Sequence, residues 1–176
     1  MVRKALPGDA LAIEELWSQL IREQESLDDR LRYADDALQR FRNDLQGWLS
    51  GMGKHFWVAE IDGRVVGFVS AELGHLPVMF EAVTEVYVAE LFISPDYRGA
   101  GLGGSLVEYV RTWGIEHGAT ALSASVLSTN EKGRAFWRKQ GVASFFETVR
   151  APLDNGDMTA DSSAAVSRPG LGFDAV

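Results

Sequence analysis

The chain has 176 residues, enough for one domain with a proper core and too few for two comfortable ones. Its formal net charge of −8 leaves no basic excess to grip a phosphate backbone, which excludes a general nucleic-acid binder. The absence of cysteine excludes disulfides, thiolate metal sites and a cysteine nucleophile, and three scattered histidines offer no metal-ligand spacing, so no metal is expected.

Val2-Arg3-Lys4-Ala5 reads as a short strand. Pro7-Gly8 turns it, and Asp9 is placed to cap a helix whose Ile13, Leu16, Trp17, Leu20 and Ile21 share one face. The polar stretch Glu23 to Arg30 reads as a loop. A second helix is predicted from about Ala34 to Leu49, with Leu38, Phe41, Leu45 and Trp48 inward and a Ser-Gly-Met-Gly ending. His55 to Ile61 alternates as a strand, Asp62-Gly63 is a two-residue hairpin turn, and Arg64 to Leu73 returns. Pro77 falls in a loop, and Thr84 to Ile93 forms the next strand. A long helix runs from Leu102 to Gly118, and Ala121 to Leu127 is a strand. Thr129 or Asn130 caps a short helix that stops at Gly141, and Val142 to Val149 reads as a final strand.

The order β-α-α-β-β-β-α-β-α-β predicts an α+β sandwich around a mixed, mostly antiparallel sheet with one parallel crossover. Residues 1–151 are expected to form the domain. Residues 152–176, rich in Ala, Ser, Asp, Gly and Pro, are expected to be an irregular tail. The charged first thirty residues lack the apolar core of a signal peptide, and no apolar run is long enough to span a bilayer. A cytoplasmic location without a membrane partner is the resulting expectation.

The rest of the chain is organised around residues 88–106. An apolar strand is broken by Pro95-Asp96, Arg98 follows, and four glycines occur in the six residues Gly99 to Gly104 before a helix begins. A helix N-terminus exposes unpaired N–H groups and carries about half a positive charge. Glycines let the backbone approach an anion, and Arg98 offers a planar donor fork. The unit therefore predicts a site for a phosphorylated ligand, most naturally a pyrophosphate. No lysine follows the glycines, so it is not a P-loop. Gly99-x-Gly101-x-x-Gly104 matches the bare dinucleotide fingerprint, but the next strand carries no acid for a ribose hydroxyl.

Arg98-Gly99-Ala100-Gly101-Leu102-Gly103 resembles the Arg/Gln-x-x-Gly-x-Gly/Ala signature of the GNAT superfamily of acyl-CoA-dependent N-acetyltransferases. Glu90-Leu91-Phe92-Ile93-Ser94-Pro95 is similar to that family's fourth strand, and Asp96-Tyr97-Arg98-Gly99 to its spermidine/spermine acetyltransferase branch. The resemblance covers roughly residues 2 to 150. It implies transfer of an acetyl group from acetyl-CoA to a primary amine of a small molecule or peptide, by direct attack in a ternary complex. It also implies that the backbone of Leu91, Phe92 and Ile93 pairs with pantetheine, and that Arg98, Gly99, Ala100, Gly101, Leu102, Gly103 and Gly104 clamp the pyrophosphate.

The segment from Asn130 to Gly141 resembles the family's Asn-x-x-x-x-Ala-x-x-Tyr/Phe-Tyr-x-x-x-Gly-Phe segment, with Asn130 bonding the pantetheine arm and Phe136 and Trp137 flanking it. The usual tyrosine, implied to protonate the leaving thiolate, is Trp137 here, and an indole N–H does not give up its proton near neutral pH. Tyr87 and Ser128 are the replacements considered. Glu90 is the candidate general base, sharing a face with Val88 and Phe92 by period two. Tyr33, on the connection between the first two helices, is the candidate acceptor contact. An acidic chain suits a cationic acceptor, although acidity is also a common solubility device. The alternative reading is a non-catalytic acyl-CoA-binding module. A homodimer is compatible with either.

Overall fold

The computed structural model describes residues 1–75 and 83–151. The Pro77 loop and the tail at 152–176 lie outside the described residues. Among the described residues there are five strands and four α-helices: β1 (Val2–Lys4), α1 (Ala10–Leu27), α2 (Ala37–Leu49), β2 (His55–Ile61), β3 (Arg64–His75), β4 (Thr84–Ile93), α3 (Leu102–Glu116), β5 (Ala121–Ala124) and α4 (Glu131–Lys139). They build one sheet of order β1-β2-β3-β4-β5, antiparallel except for the β4–β5 pair that the α3 crossover joins. Among the described residues no helix is long and apolar enough to cross a membrane.

Alternation along the strands sends side chains into two cores. Phe56, Val58, Phe68 and Phe92 meet Ile13, Leu16, Trp17, Leu20, Phe41 and Leu45 of α1 and α2. Trp57, Ala59, Val69, Val86 and Val88 meet Leu106, Val107 and Val110 of α3 and Trp137 of α4. The hairpin between β2 and β3 turns on Asp62 (φ +49°) and Gly63 (φ +75°), the left-handed pair that the Asp-Gly signal predicts.

Four expectations are corrected. The loop expected from Glu23 to Arg30 is helical to Leu27, because Glu23, Gln24 and Glu25 are good helix formers and each finds a polar partner, in Arg98 or Tyr33. Asp9 makes no side-chain cap of α1. Its carboxylate accepts the Leu6 N–H at 2.7 Å and both Nη groups of Arg3 at 2.7 and 2.9 Å, pinning β1 to the turn before α1. β5 ends at Ala124 rather than Leu127. Val142 to Val149 forms no strand, so the order ends on α4. Strand propensity needs a neighbouring edge, and Phe145 and Val149 are instead largely exposed.

Candidate active site

A β-bulge sets the site. Ser70 pairs with Glu90 and Ala71 with Val88, so Ala89 is an extra residue on β4. A bulge shifts the alternation by one. Val88 therefore packs under α3 while Phe92 packs under α1 and α2. Glu90 shares the face of Phe92 but not that of Val88, which corrects the period-two expectation.

The same region frees an edge. β5 pairs with β4 only from Glu85↔Ala121 to Val88↔Ala124, leaving Ala89 to Ile93 without a strand on that side among the described residues. The Ser94 N–H donates to Val66 O at 2.9 Å. In an antiparallel ladder this makes Ile93↔Gly67 a non-hydrogen-bonded pair. The N–H and C=O of Ile93, and by alternation those of Leu91, therefore face the open edge, while those of Phe92 face β3. Of the three residues Leu91, Phe92 and Ile93, the first and last turn their backbone groups to the open edge and the middle one does not.

At the end of this edge the chain makes a short 3₁₀ turn, Pro95–Tyr97, and enters the glycine loop. Gly99 (φ +86°) and Gly101 (φ +82°) adopt left-handed backbone, and a Cβ on either would meet nothing within 4 Å. The loop thus faces open space. Gly101 is the N-cap of α3, so the N–H groups of Leu102, Gly103 and Gly104 have no intrahelical acceptor. A Cβ on Gly103 would fall 3.1 Å from the Phe136 ring, so this glycine lets α4 pack against the start of α3.

The Arg98 side chain is not turned toward that loop's open space. Its Nη1 and Nη2 donate to Glu23 Oε1 and Oε2 at 3.1 and 2.6 Å, and its Nε donates to Ile93 O at 2.8 Å. The guanidinium lies over the Phe92 ring at 5.2 Å. The Arg98 fork is already filled by a carboxylate, so what the loop turns to open space is backbone.

On the α1–α2 face, the buried Ser70 hydroxyl donates to Glu90 Oε2, and Lys54 Nζ stands 3.4 Å from Glu90 Oε1 and 5.0 Å over the Trp48 ring. Tyr33 closes this corner. Its hydroxyl donates to Gln24 Oε1, its N–H donates to Glu25 Oε1 at 2.9 Å, and its ring meets Trp17 edge-on at 6.0 Å. Burial, then the nearby charges of Glu90 and Glu25, push the Tyr33 phenol above its ordinary pKa. Tyr33 and Glu90 thus lie on the same face of the sheet, the one covered by α1 and α2. Ser70, Lys54 and Gln24 were missed. Ser70 is legible as a hydroxyl inside the apolar run Phe68-Val69-Ser70-Ala71, whereas nothing local marks the other two.

The family model described as acetyltransferase (GNAT) family matches residues 14–142. The chain belongs to that family. A GNAT relative in Archaeoglobus fulgidus, an uncharacterized N-acetyltransferase, is 34% identical over 53% of this chain and 63% of its own length, so the chain spans under two thirds of it. The thialysine N-epsilon-acetyltransferase of Sus scrofa is 24% identical over 84% of this chain and 86% of its own. The aminoglycoside N(6')-acetyltransferase type 1 of Stenotrophomonas maltophilia is 27% identical over 85% and 88%. Among solved structures, a mutant form of a Bacillus halodurans protein matches with TM-score 0.76 at 19% identity, covering 87% of this chain and 99% of that one. A CoA complex of an aminoglycoside N-acetyltransferase matches with TM-score 0.67 at 17% identity, covering 88% and 94%. These two matches establish likeness of fold.

The remaining GNAT-derived expectations fall on α4 and its approach. Asn130 Oδ1 accepts the Gly133 N–H at 2.8 Å and so caps α4. Phe136 packs on Gly103, and Trp137 is buried beneath α3 with its ring 5.2 Å from that of Phe136. Tyr87 donates its hydroxyl to Ser125 Oγ at 3.2 Å, one residue past the end of β5. Ser128 accepts Arg134 Nη1 through its backbone carbonyl at 3.3 Å.

Proposed function

We propose that this GNAT chain is an N-acetyltransferase that moves the acetyl group of acetyl-CoA to a primary amine of a small molecule or peptide, by direct attack in a ternary complex. The observation that carries this is the free edge of β4, with the N–H groups of Leu91 and Ile93 turned outward and leading into the glycine loop. An extended pantetheine arm adds to such an edge as a strand would, and the diphosphate meets the N–H groups of residues 99–104. One outward N–H of β4 then donates to the thioester carbonyl as negative charge builds on its oxygen.

The acceptor enters from the Tyr33 side. Its ammonium displaces Lys54 as the partner of Glu90 Oε1, and Glu90 takes the proton directly or through water. The freed amine nitrogen bonds to the acetyl carbon, the C–S bond breaks, the sulfur leaves with the electron pair, and the nitrogen's remaining excess proton passes to that sulfur, directly or through a hydroxyl. A thiol with pKa near 8.5 departs without a strong acid. Tyr87, on the face that the bulge shares with Glu90, is the hydroxyl that replaces the tyrosine substituted by Trp137. The GNAT relatives named for thialysine and for aminoglycosides make amino-acid-like amines and amino sugars the first acceptors to try.

Thiol release from acetyl-CoA tests the reading, and a cysteine-free chain adds no background to a thiol reagent. Turnover with one acceptor class and acetylation of its amine, shown by mass, is expected. CoA binding without release on any amine would favour the non-catalytic module, the reading to which the buried Trp137 points.

A further inference from the structure

We infer that Glu23 is a positioning residue that ties the donor loop to the acceptor wall, an inference that rests on the donor and acceptor assignment above. Three successive residues near the end of α1 reach both halves of the site. Glu23 holds both Nη groups of Arg98, at 3.1 and 2.6 Å. Gln24 accepts the Tyr33 hydroxyl, and Glu25 accepts the Tyr33 N–H at 2.9 Å. Successive helix residues point about 100° apart, so three of them fan over about 200°. One turn can therefore grip the glycine loop on one side and the α1–α2 connection on the other.

The chain of bonds is continuous. Ile93 O, at the free edge, accepts Arg98 Nε at 2.8 Å, Arg98 holds Glu23, and the helix passes from Glu23 to the two residues that hold Tyr33. The Arg98 and Glu23 side chains are 40% and 39% exposed, and the pair is bidentate, so it fixes orientation as well as distance. A fork of this kind between residues 75 apart in sequence sets how the two segments it joins are aligned. Ordering of the glycine loop by a ligand stills Arg98, and through Glu23 it stills Tyr33. A bound donor thereby finishes the acceptor site.

Hydrogen exchange on the full chain, with CoA as the probe, tests this. In the wild type, CoA should slow exchange in residues 98–104 and also slow exchange in residues 28–36 by at least about fivefold, the lower end of typical site-to-site coupling. In Glu23→Ala the first response should persist and the second should vanish, and Glu23→Asp should restore part of it. Should Glu23→Ala fold poorly, Glu23→Gln keeps the side chain's length without its charge. An equal response of residues 28–36 with and without the Glu23 carboxylate would overturn the inference. So would protection of 98–104 alone in the wild type. Failure of CoA to protect either segment in the wild type would instead remove the donor-site reading beneath it.

Discussion

Gly67→Ala tests the geometry of the free edge directly. A Cβ on Gly67 falls 2.3 Å from Ile93 Cδ1, 2.8 Å from Phe92 O and 3.3 Å from Ile93 Cα. The Ile93 methyl can rotate away, but the other two atoms belong to the β4 backbone. Relief therefore requires β3 and β4 to separate by a few tenths of an ångström, directly behind the outward N–H of Ile93. Overpacking of this kind costs about 1–3 kcal/mol. For a chain of this size that is a fall in Tm of roughly 2–12 °C. A 1 Å misplacement in an active site costs about 100-fold, so half of that predicts about a tenfold loss in kcat/KM for acetyl-CoA. The control is Gly74→Ala on the same strand, whose Cβ would meet only Glu85 Cγ at 3.9 Å. It should lie within about 0.5 kcal/mol of the wild type. Thermal unfolding and steady-state kinetics on the pair decide the matter. A Gly67→Ala protein with unchanged Tm and unchanged kcat/KM would refute the placement of β4 against β3, and with it the edge on which the donor is seated.

Glu90→Gln keeps an acceptor for Ser70 but removes the base, so kcat should fall by about 10²–10⁴ with little change in CoA affinity. Undiminished turnover across pH would take Glu90 out of the mechanism. Gly101→Ala should cost about 1–2 kcal/mol through its left-handed backbone alone, since its Cβ meets no neighbour, and should weaken CoA binding by crowding the loop, measurable by calorimetry. Arg3 holds the Asp9 carboxyl below the usual carboxylate range, chiefly through its two hydrogen bonds. The unfolded chain therefore binds this proton at a higher pH than the native one. The pair's stabilisation is complete above an unfolded pKa of about 3.9 and is lost as pH falls through the lower native value. The stability gap between the wild type and Arg3→Ala, followed by urea unfolding, should narrow as pH drops below about 4. A gap that stays constant to pH 2 would show that the Asp9 pairing contributes nothing.

What the amino-acid sequence determines by itself is local. The helix faces of α1 and α2, the Asp62-Gly63 turn, and the passage from strand through Arg98 and glycines into α3 all follow from spacing and from which residues tolerate a left-handed backbone. Hence the family and the glycine loop were legible. The bulge was not, because one extra residue at Ala89 leaves no mark in an alternating apolar strand, yet it decides that Glu90 faces Tyr33 and Lys54. The partner of Arg98 was equally hidden. Its donor fork is suited to any oxyanion, and only packing brought the Glu23 carboxylate within reach. Val142 to Val149 makes the same point in reverse, since a strand's composition does not make a strand where the segment is not brought alongside an edge. Periodicity and turn chemistry act between neighbours in the chain and so can be read from it. Register, edge pairing and ion-pair choice are settled between segments distant in sequence, and for those the folded structure is the only record.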